Sequence, residues 1–225
     1  MKIEAEYKHI LLGLILAFIS LTLLIVLDIF SNIDDKLVFI LVKNTRGHLH
    51  EFMIHGTHLG NVIIILPLTA LGMYSFYRSD ESSFSIYYGL MMASSFILTL
   101  LVKYMIRRPR PEVGLSTPHL LQFYSDPSIY SYPSGHTIRI LVLVLGFYLF
   151  YSKSDGKKKD PFILLGIVMI TAIIGISRIV LGLHYPTDIV GSVLLGGVII
   201  MTFLILIDSD ILEGYIARYL IPSKR

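Results

Sequence analysis

The chain contains no cysteine and no tryptophan among its 225 residues. The absence of cysteine excludes disulfide bonds, thiolate metal sites and a cysteine nucleophile. Charged residues are also scarce, since they make up 16% of the chain, whereas a soluble domain normally contains about 25%. Hydrophobic residues make up 54% of the chain, and the mean hydropathy is +0.72. This composition indicates a membrane protein.

The long apolar runs predict how the chain is organised. A bilayer core requires about 20 mostly apolar residues per helix, and six segments approach that length. They cover roughly residues 10–30, 59–77, 86–105, 137–151, 161–181 and 189–207. The first run is too long for a cleaved signal peptide, so we expect it to be retained. The predicted fold is all-α: one domain over residues 1–225, with six transmembrane helices and short interfacial helices in extracytoplasmic loops.

The basic residues predict the orientation. Ten lysines and arginines flank the spans on the side of the two termini, and eight flank them on the other side. Three of those eight, Lys103, Arg110 and Arg178, are candidate site residues, which leaves five. Because cytoplasmic loops carry the excess of basic residues, we expect both termini in the cytoplasm. The site would then face the outside of the plasma membrane. The net charge of +3 is small and dispersed, which argues against a nucleic-acid partner.

The segment between the first two spans contains four closely spaced histidines: His48, His50, His55 and His58. The apolar strip before them, Lys36 to Val42, predicts a helix at the membrane interface. The histidine spacing suggests a metal site, but the pattern is not the His-Glu-x-x-His of zinc peptidases. We interpret these residues as interfacial histidines without a ligand role, and we expect neither a metal nor another cofactor.

A basic cluster ends the third span and contains Lys103, Arg107, Arg108 and Arg110. Pro109 and Pro111 stop the helix, so the basic side chains can converge. We interpret Arg107 and Arg108 as surface charges that bind anionic lipid, whereas Lys103 lies at the hydrocarbon edge and requires a partner. The loop that follows carries four aromatic residues that are suited to the headgroup region: Phe123, Tyr124, Tyr130 and Tyr132.

A second cluster, Pro133-Ser134-Gly135-His136, directly precedes the fourth span. Gly135 allows a close approach of the backbone, while the Ser134 hydroxyl and the amides of a helix start bind anions. His136 could give a proton to a leaving oxygen. The alternative is an ordinary serine cap of a helix.

The third cluster, Ser177 to Asp188, lies between the last two spans and contains Arg178, His184 and Asp188. If a helix begins near Pro186, the Asp188 carboxylate can reach one imidazole nitrogen of His184. The other nitrogen then keeps its lone pair, as a nucleophile or a base requires. Arg178 offers a planar fork of donors that matches phosphate oxygens. The alternative is that Asp188 merely caps the sixth helix.

The three clusters are predicted to lie on one face of the membrane. Together they provide two histidines, one of them paired with a carboxylate, and three cations. Cations and amides for an anion, a nucleophile and a proton donor are what phosphoryl transfer requires.

The pattern Lys103-x6-Arg110-Pro111, Pro133-Ser134-Gly135-His136 and Ser177-Arg178-x5-His184-x3-Asp188 closely resembles the signature of the type 2 phosphatidic acid phosphatase superfamily. The resemblance to its six-span branch covers most of the chain. It implies a metal-independent lipid phosphatase that forms a phosphohistidine on His184, with Asp188 orienting that ring and His136 protonating the leaving group. It also implies that the phosphate is bound by five residues: Lys103, Arg110, Ser134, Gly135 and Arg178.

The substrate is left open by the sequence. We expect a lipid phosphate that enters from the bilayer, with an isoprenoid carrier pyrophosphate such as undecaprenyl pyrophosphate as the first candidate. Phosphatidylglycerophosphate and phosphatidic acid are alternatives, because an apolar surface discriminates poorly between lipid tails. A non-catalytic lipid transporter or scaffold is the alternative from another class, since buried charges also mark transport routes.

Overall fold

The computed structural model describes residues 2–79, 81–112, 129–154, 156 and 160–209, and the regular elements among them are helices. The helices are α1 (Lys2–Val26), α2 (Ser31–Asn44), α3 (His48–Thr57), α4 (Val62–Arg78), α5 (Ser82–Ile106), α6 (Gly135–Leu141), α7 (Phe147–Ser154), α8 (Pro161–Val180) and α9 (Pro186–Asp208). A 3₁₀ turn, His58–Gly60, links α3 to α4, and a π-helical segment, Val142–Gly146, links α6 to α7.

Five helical segments are individually long and apolar enough to cross a membrane: Glu6–Val26, Ser82–Ile106, Gly135–Lys153, Pro161–Val180 and Pro186–Asp208. A sixth forms if α3, the 3₁₀ turn and α4 are taken together, since they are bent by 48° at Asn61. The first span ends at Val26, before the predicted end at residue 30, because Asp28 adopts a left-handed conformation with φ 59°. The short helix α2 then turns away from α1.

The core of the bundle lies between α5, the α6–α7 segment and α9. Its large buried side chains include Tyr88, Met91, Val142, Phe150 and Ile199. The π-helical segment leaves backbone carbonyls without their usual partners, and the Tyr88 hydroxyl donates a hydrogen bond to the carbonyl of Leu143 at 3.0 Å. Around this core, α1 packs along α9, and α4 packs along α5.

Large apolar side chains cover the outside of the bundle. Leu16 of α1, Leu71 of α4 and Val168 of α8 are all more than half exposed. Such a surface would be unfavourable in water but fits the hydrocarbon of a bilayer. The predicted all-α, membrane-spanning fold class is confirmed, and the protein is a multi-pass membrane protein.

One end of the bundle collects the charged residues. The C-terminal ends of α5 and α8 meet the N-terminal ends of α6 and α9 there, because these helices alternate in direction. The short helices α2 and α3 lie beside this end and contact α8. The described ends of the chain, Lys2 and Ser209, lie at the opposite end of the bundle.

Candidate active site

A cavity of about 300 Å³ opens at the charged end of the bundle. Six residues that the sequence predicts as site residues line it: Lys103, Arg110, Gly135, His136, Arg178 and His184. They come from all three clusters that the sequence defines. The remaining lining is mostly apolar and includes Val62 at the start of α4 and Phe96 and Leu100 of α5.

Two predicted site residues, Ser134 and Asp188, do not line the cavity and are fully buried behind it. Ser134 precedes α6 without making a side-chain capping bond. Its backbone N–H donates to the Ser192 hydroxyl at 2.7 Å, and its own hydroxyl oxygen accepts a hydrogen bond from Thr137 at 3.1 Å. These contacts hold Ser134 behind the wall of the cavity, next to Gly135, which lines it.

Asp188 makes both of the interactions that the sequence left as alternatives. Pro186 begins α9, which places Asp188 Oδ2 3.3 Å from His184 Nδ1. The same oxygen accepts the backbone N–H of Tyr185 at 2.9 Å and so caps the helix. A carboxylate at Nδ1 holds the imidazole proton there and leaves the lone pair on Nε2. The hydrogen bond from Tyr185 therefore also holds the Asp188 carboxylate in place beside His184.

His184 lies in the turn between α8 and α9 and is almost completely buried, with 2% of its surface exposed. Gly182 permits this tight turn with a φ of 64°. Burial lowers the pKa of His184 well below its ordinary value, and the nearby positive charges of Arg178 and Lys103 lower it further. The imidazole is therefore neutral at physiological pH, which is the form that can act as a nucleophile.

Two cations beside His184 are held by uncharged partners. Lys103 is 6% exposed, and its Nζ donates to the backbone carbonyls of Tyr130 and, at 3.3 Å, Ser131. Arg178 is 8% exposed, and its Nη1 donates to the Thr57 hydroxyl of α3 at 2.9 Å. Its buried Nε has no hydrogen-bond partner within the described residues. Cations buried in this way favour binding of an anion.

Arg108 is not a surface charge, so the interpretation of Arg107 and Arg108 as a lipid-binding pair is wrong for Arg108. Arg107 ends α5 in a left-handed conformation with φ 52° and is exposed. The chain reverses there and directs Arg108 inward, where its side chain is 12% exposed. Arg108 Nη1 donates to Asp188 Oδ1 at 2.6 Å, and Nη2 donates to Asp34 Oδ2 at 2.7 Å.

Asp34 of α2 completes this buried ion-pair network and was missed by sequence reasoning. It accepts hydrogen bonds from the backbone N–H of Thr187 at 3.2 Å and from the Thr187 hydroxyl. Burial lowers the pKa of Arg108, but the carboxylates of Asp188 and Asp34 outweigh that effect and raise it. The guanidinium also lies 4.1 Å from the centroid of the Tyr185 ring. Arg108 therefore holds Oδ1 of Asp188, the carboxylate oxygen that does not contact His184.

Replacing Arg108 with glutamine is expected to lower kcat without raising KM. The change removes the cation that holds Asp188, and a displacement of about 1 Å in a catalytic group can cost about 100-fold in rate. Arg108 does not line the cavity, so KM should stay within about twofold. Steady-state kinetics of the purified variant measure the two effects separately. Arg107→Gln is the matched control, and a large rise in KM for Arg108→Gln would instead mean that Arg108 binds the substrate.

The four histidines of the α3 region lie on α3 and in the turn after it. His48 Nδ1 is 3.6 Å from Glu51 Oε2, and the rings of His55 and His58 are 6.4 Å apart. Within residues 2–79, 81–112, 129–154, 156 and 160–209, no three potential ligands among His, Asp and Glu are grouped around a common point. The loop aromatics Phe123 and Tyr124 lie outside the described residues.

The protein is a multi-pass helical bundle in which two histidines, one of them paired with a carboxylate, line a cavity among cations at one end. These are the features of an integral-membrane phosphatase. The sequence model of the PAP2 superfamily matches residues 84–210, which include all of the predicted site residues. The chain therefore belongs to the PAP2 superfamily and is a membrane phosphatase, as the sequence pattern predicted.

Individual relatives agree with this assignment. The chain is 30% identical to phosphatidylglycerophosphatase B of Bacillus subtilis (strain 168) over 204 residues, which cover 84% of this chain and 90% of that protein. It is 27% identical to undecaprenyl-diphosphatase BcrC of the same organism over 154 residues, or 68% and 72% of the two chains. A crystal structure of a transmembrane PAP2-type phosphatidylglycerolphosphate phosphatase from Bacillus subtilis superposes with a TM-score of 0.74 and 25% identity, covering 89% of this chain and 96% of that chain.

Proposed function

We propose that the protein hydrolyses a lipid diphosphate through a phosphohistidine on His184, without help from a metal ion. The observation that carries this proposal is the cavity in which Lys103, Arg110 and Arg178 surround the two histidines. These cations stabilise the charge that develops on the phosphate oxygens during transfer. The whole described bundle serves this one site, so we propose that residues 1–225 form a single phosphatase domain.

The proposed reaction has two steps. In the first, Nε2 of His184 attacks the terminal phosphorus in line, and the bond to the bridging oxygen breaks. His136 gives its proton to that oxygen, which leaves with the lipid monophosphate. In the second step, water attacks the same phosphorus, the P–N bond breaks, and the proton of the water returns to His136. Inorganic phosphate leaves, and His184 is again neutral.

The apolar wall of the cavity supports entry of the lipid from the side. Val62 and Leu100 line the cavity and are also exposed on the outer surface of the bundle, at 37% and 44%. An apolar tail that lies against these side chains would remain in the bilayer while its phosphate reaches the cations. We therefore propose that the tail lies between the start of α4 and the second half of α5.

The proposed physiological substrate is an isoprenoid carrier diphosphate such as undecaprenyl diphosphate. The similarity to an undecaprenyl-diphosphatase supports this choice. Phosphatidylglycerophosphate is the second candidate, because a relative whose match covers 84% of the chain is named a phosphatidylglycerophosphatase. Both candidates present a terminal phosphate on an apolar tail, so the signature residues alone do not separate them.

A comparison of kcat/KM for the two lipids in the same detergent tests the proposed substrate. We expect the value for undecaprenyl diphosphate to exceed that for phosphatidylglycerophosphate by at least about tenfold, which corresponds to about 1.4 kcal/mol of transition-state stabilisation. The opposite ratio would transfer the proposal to the phospholipid. Failure to release phosphate from any lipid phosphate would favour the transporter or scaffold.

We further propose that both termini lie in the cytoplasm and that the cavity opens on the outer side of the plasma membrane. The predicted excess of basic residues near the termini supports this orientation. The cysteine-free chain allows a direct test, because a single cysteine can be placed at exposed His48 near the site or at exposed Ser79 at the opposite end. A membrane-impermeant maleimide added to intact cells should label only the former.

A further inference from the structure

Arg139 is a fourth arginine or lysine in the wall of the cavity, and the superfamily signature gives it no role. It follows His136 by three residues on α6 and lines the cavity together with Lys103, Arg110 and Arg178. Its Nε and Nη2 donate to the backbone carbonyl of Gly60 at 3.3 and 3.2 Å. Its guanidinium carbon lies 5.2 Å from the centroid of the Phe96 ring.

No carboxylate lies within ion-pair distance of Arg139 in the part of the chain that the structure describes. Its Nη1 also makes no hydrogen bond to any described residue, since the bonds to Gly60 and His136 use Nε and Nη2. An arginine inside a membrane-spanning helix is costly and normally marks a functional site. The guanidinium thus retains a donor and an unneutralised charge for an anionic ligand.

We propose that Arg139 binds the second phosphate of a lipid diphosphate, the one that stays on the lipid. This inference rests on the proposed function, because it assumes that His184 attacks the terminal phosphate. The positive charge of the three signature cations already exceeds the negative charge of one phosphate group, which at neutral pH is about −1.5 to −2. A fourth cation exceeds what a monophosphate requires and matches a second phosphate.

The position of Arg139 fits the geometry of a diphosphate. Its contacts Gly60 and Phe96 lie on the side of the cavity where Val62 and Leu100 reach the lipid. The terminal phosphate lies at His184, so the second phosphate must lie between His184 and the lipid tail. That place is beside Arg139 and His136, where the bridging oxygen leaves.

The contact between Arg139 and His136 links phosphate binding to proton donation. Arg139 Nη2 lies 3.3 Å from His136 Nδ1, and arginine can only donate, so Nδ1 accepts and the ring proton is on Nε2. If Nδ1 takes up a proton, this bond is lost and two cations face each other. A phosphate that binds Arg139 removes this repulsion and allows His136 to carry the proton that the leaving oxygen receives.

The test compares two substrates with the same tail, farnesyl diphosphate and farnesyl monophosphate. Arg139→Gln should lower kcat/KM for the diphosphate by about 10- to 100-fold, the loss typical of a charged hydrogen bond, and for the monophosphate by less than about threefold. Arg107→Gln removes an exposed arginine outside the cavity and should affect neither substrate. Arg139→Lys, which keeps the charge, should recover part of the diphosphate activity.

Inhibition provides a second measurement that does not depend on turnover of an isoprenoid. In Arg139→Gln, the Ki of methylene diphosphonate should rise about tenfold, while the Ki of orthophosphate should not change. Equal losses on both substrates would mean that Arg139 acts only through His136 or the fold, and no loss would mean that it does not contact the ligand. Either result overturns the inference.

The two proposals fail in different ways. If the wild-type protein prefers phosphatidylglycerophosphate but the inhibition by diphosphonate depends on Arg139, the proposed substrate is wrong and the second phosphate site stands. If the wild-type protein prefers undecaprenyl diphosphate but the Arg139 variants lose nothing selectively, only the second phosphate site is wrong.

Discussion

Replacement of His184 with alanine is expected to abolish phosphate release from every lipid phosphate that the protein hydrolyses. In the proposed mechanism Nε2 of His184 forms the covalent bond to phosphorus, and no other group can replace it. Among the described residues no carboxylate lies within ion-pair distance of the His136 ring, and its Nδ1 faces Arg139. Phosphate release by purified protein in detergent measures the loss, which should reach the detection limit.

The His184→Ala experiment has a matched control in His55→Ala, which removes an exposed histidine from α3. That variant should keep wild-type activity. Rapid quenching of the wild-type protein with a terminally labelled diphosphate should trap label on the protein in a form that is stable in base and labile in acid, as expected of a phosphohistidine. Hydrolysis by His184→Ala above the uncatalysed rate would exclude His184 as the nucleophile.

Most residues of the candidate site could be predicted from the sequence, because they lie at the ends of apolar runs. Lys103 ends one run, His136 begins another, and Arg178 lies where the next one ends. A bilayer forces the ends of successive helices to alternate between two faces, so these residues had to meet at the same face. Six of the eight predicted residues line a single cavity.

The buried ion-pair network was not predictable, for a local reason. Arg107 and Arg108 are adjacent, identical residue types, and which of them faces inward depends on the left-handed turn at Arg107. Asp34 and Asp35 present the same ambiguity on α2, where Asp34 is the buried one. When two identical residues are neighbours at the end of a helix, the sequence does not show which of the two side chains points into the protein.

Arg139 shows a different limit of the sequence. It could be recognised as a charge just inside the fourth span, where an ionisable residue points to a function. Its neighbours could not be recognised, since Gly60 precedes it by 79 residues and comes from the turn between α3 and α4. The bend of 48° at that turn places the Gly60 carbonyl against α6. The proposed site for the second phosphate therefore depends on how the bent pair of α3 and α4 packs against α6.

Asp188→Asn is expected to lower kcat by about 10³- to 10⁴-fold, because the loss for an orienting carboxylate in serine proteases reaches about 10⁴. Asp188 accepts hydrogen bonds from three donors. Arg108 donates to Oδ1, whereas the Tyr185 N–H and His184 donate to Oδ2. An asparagine has only one acceptor oxygen. Whichever way its amide turns, the NH₂ group faces a donor, and the tautomer of His184 is no longer fixed.

The capping role of Asp188 makes a control necessary, because a lost cap alone would destabilise α9. Asp188 is the third residue of α9 and accepts the N–H of Tyr185, which directly precedes the helix. An asparagine that turns its oxygen towards Tyr185 keeps this bond and loses the charge. Asp160→Asn makes the same change at an exposed cap of α8, where Asp160 accepts the N–H of Phe162 at 2.8 Å, and should keep full activity. If Asp188→Asn also keeps its activity, Asp188 serves only to begin α9, and the network from Asp34 through Arg108 stabilises the fold instead of orienting the nucleophile.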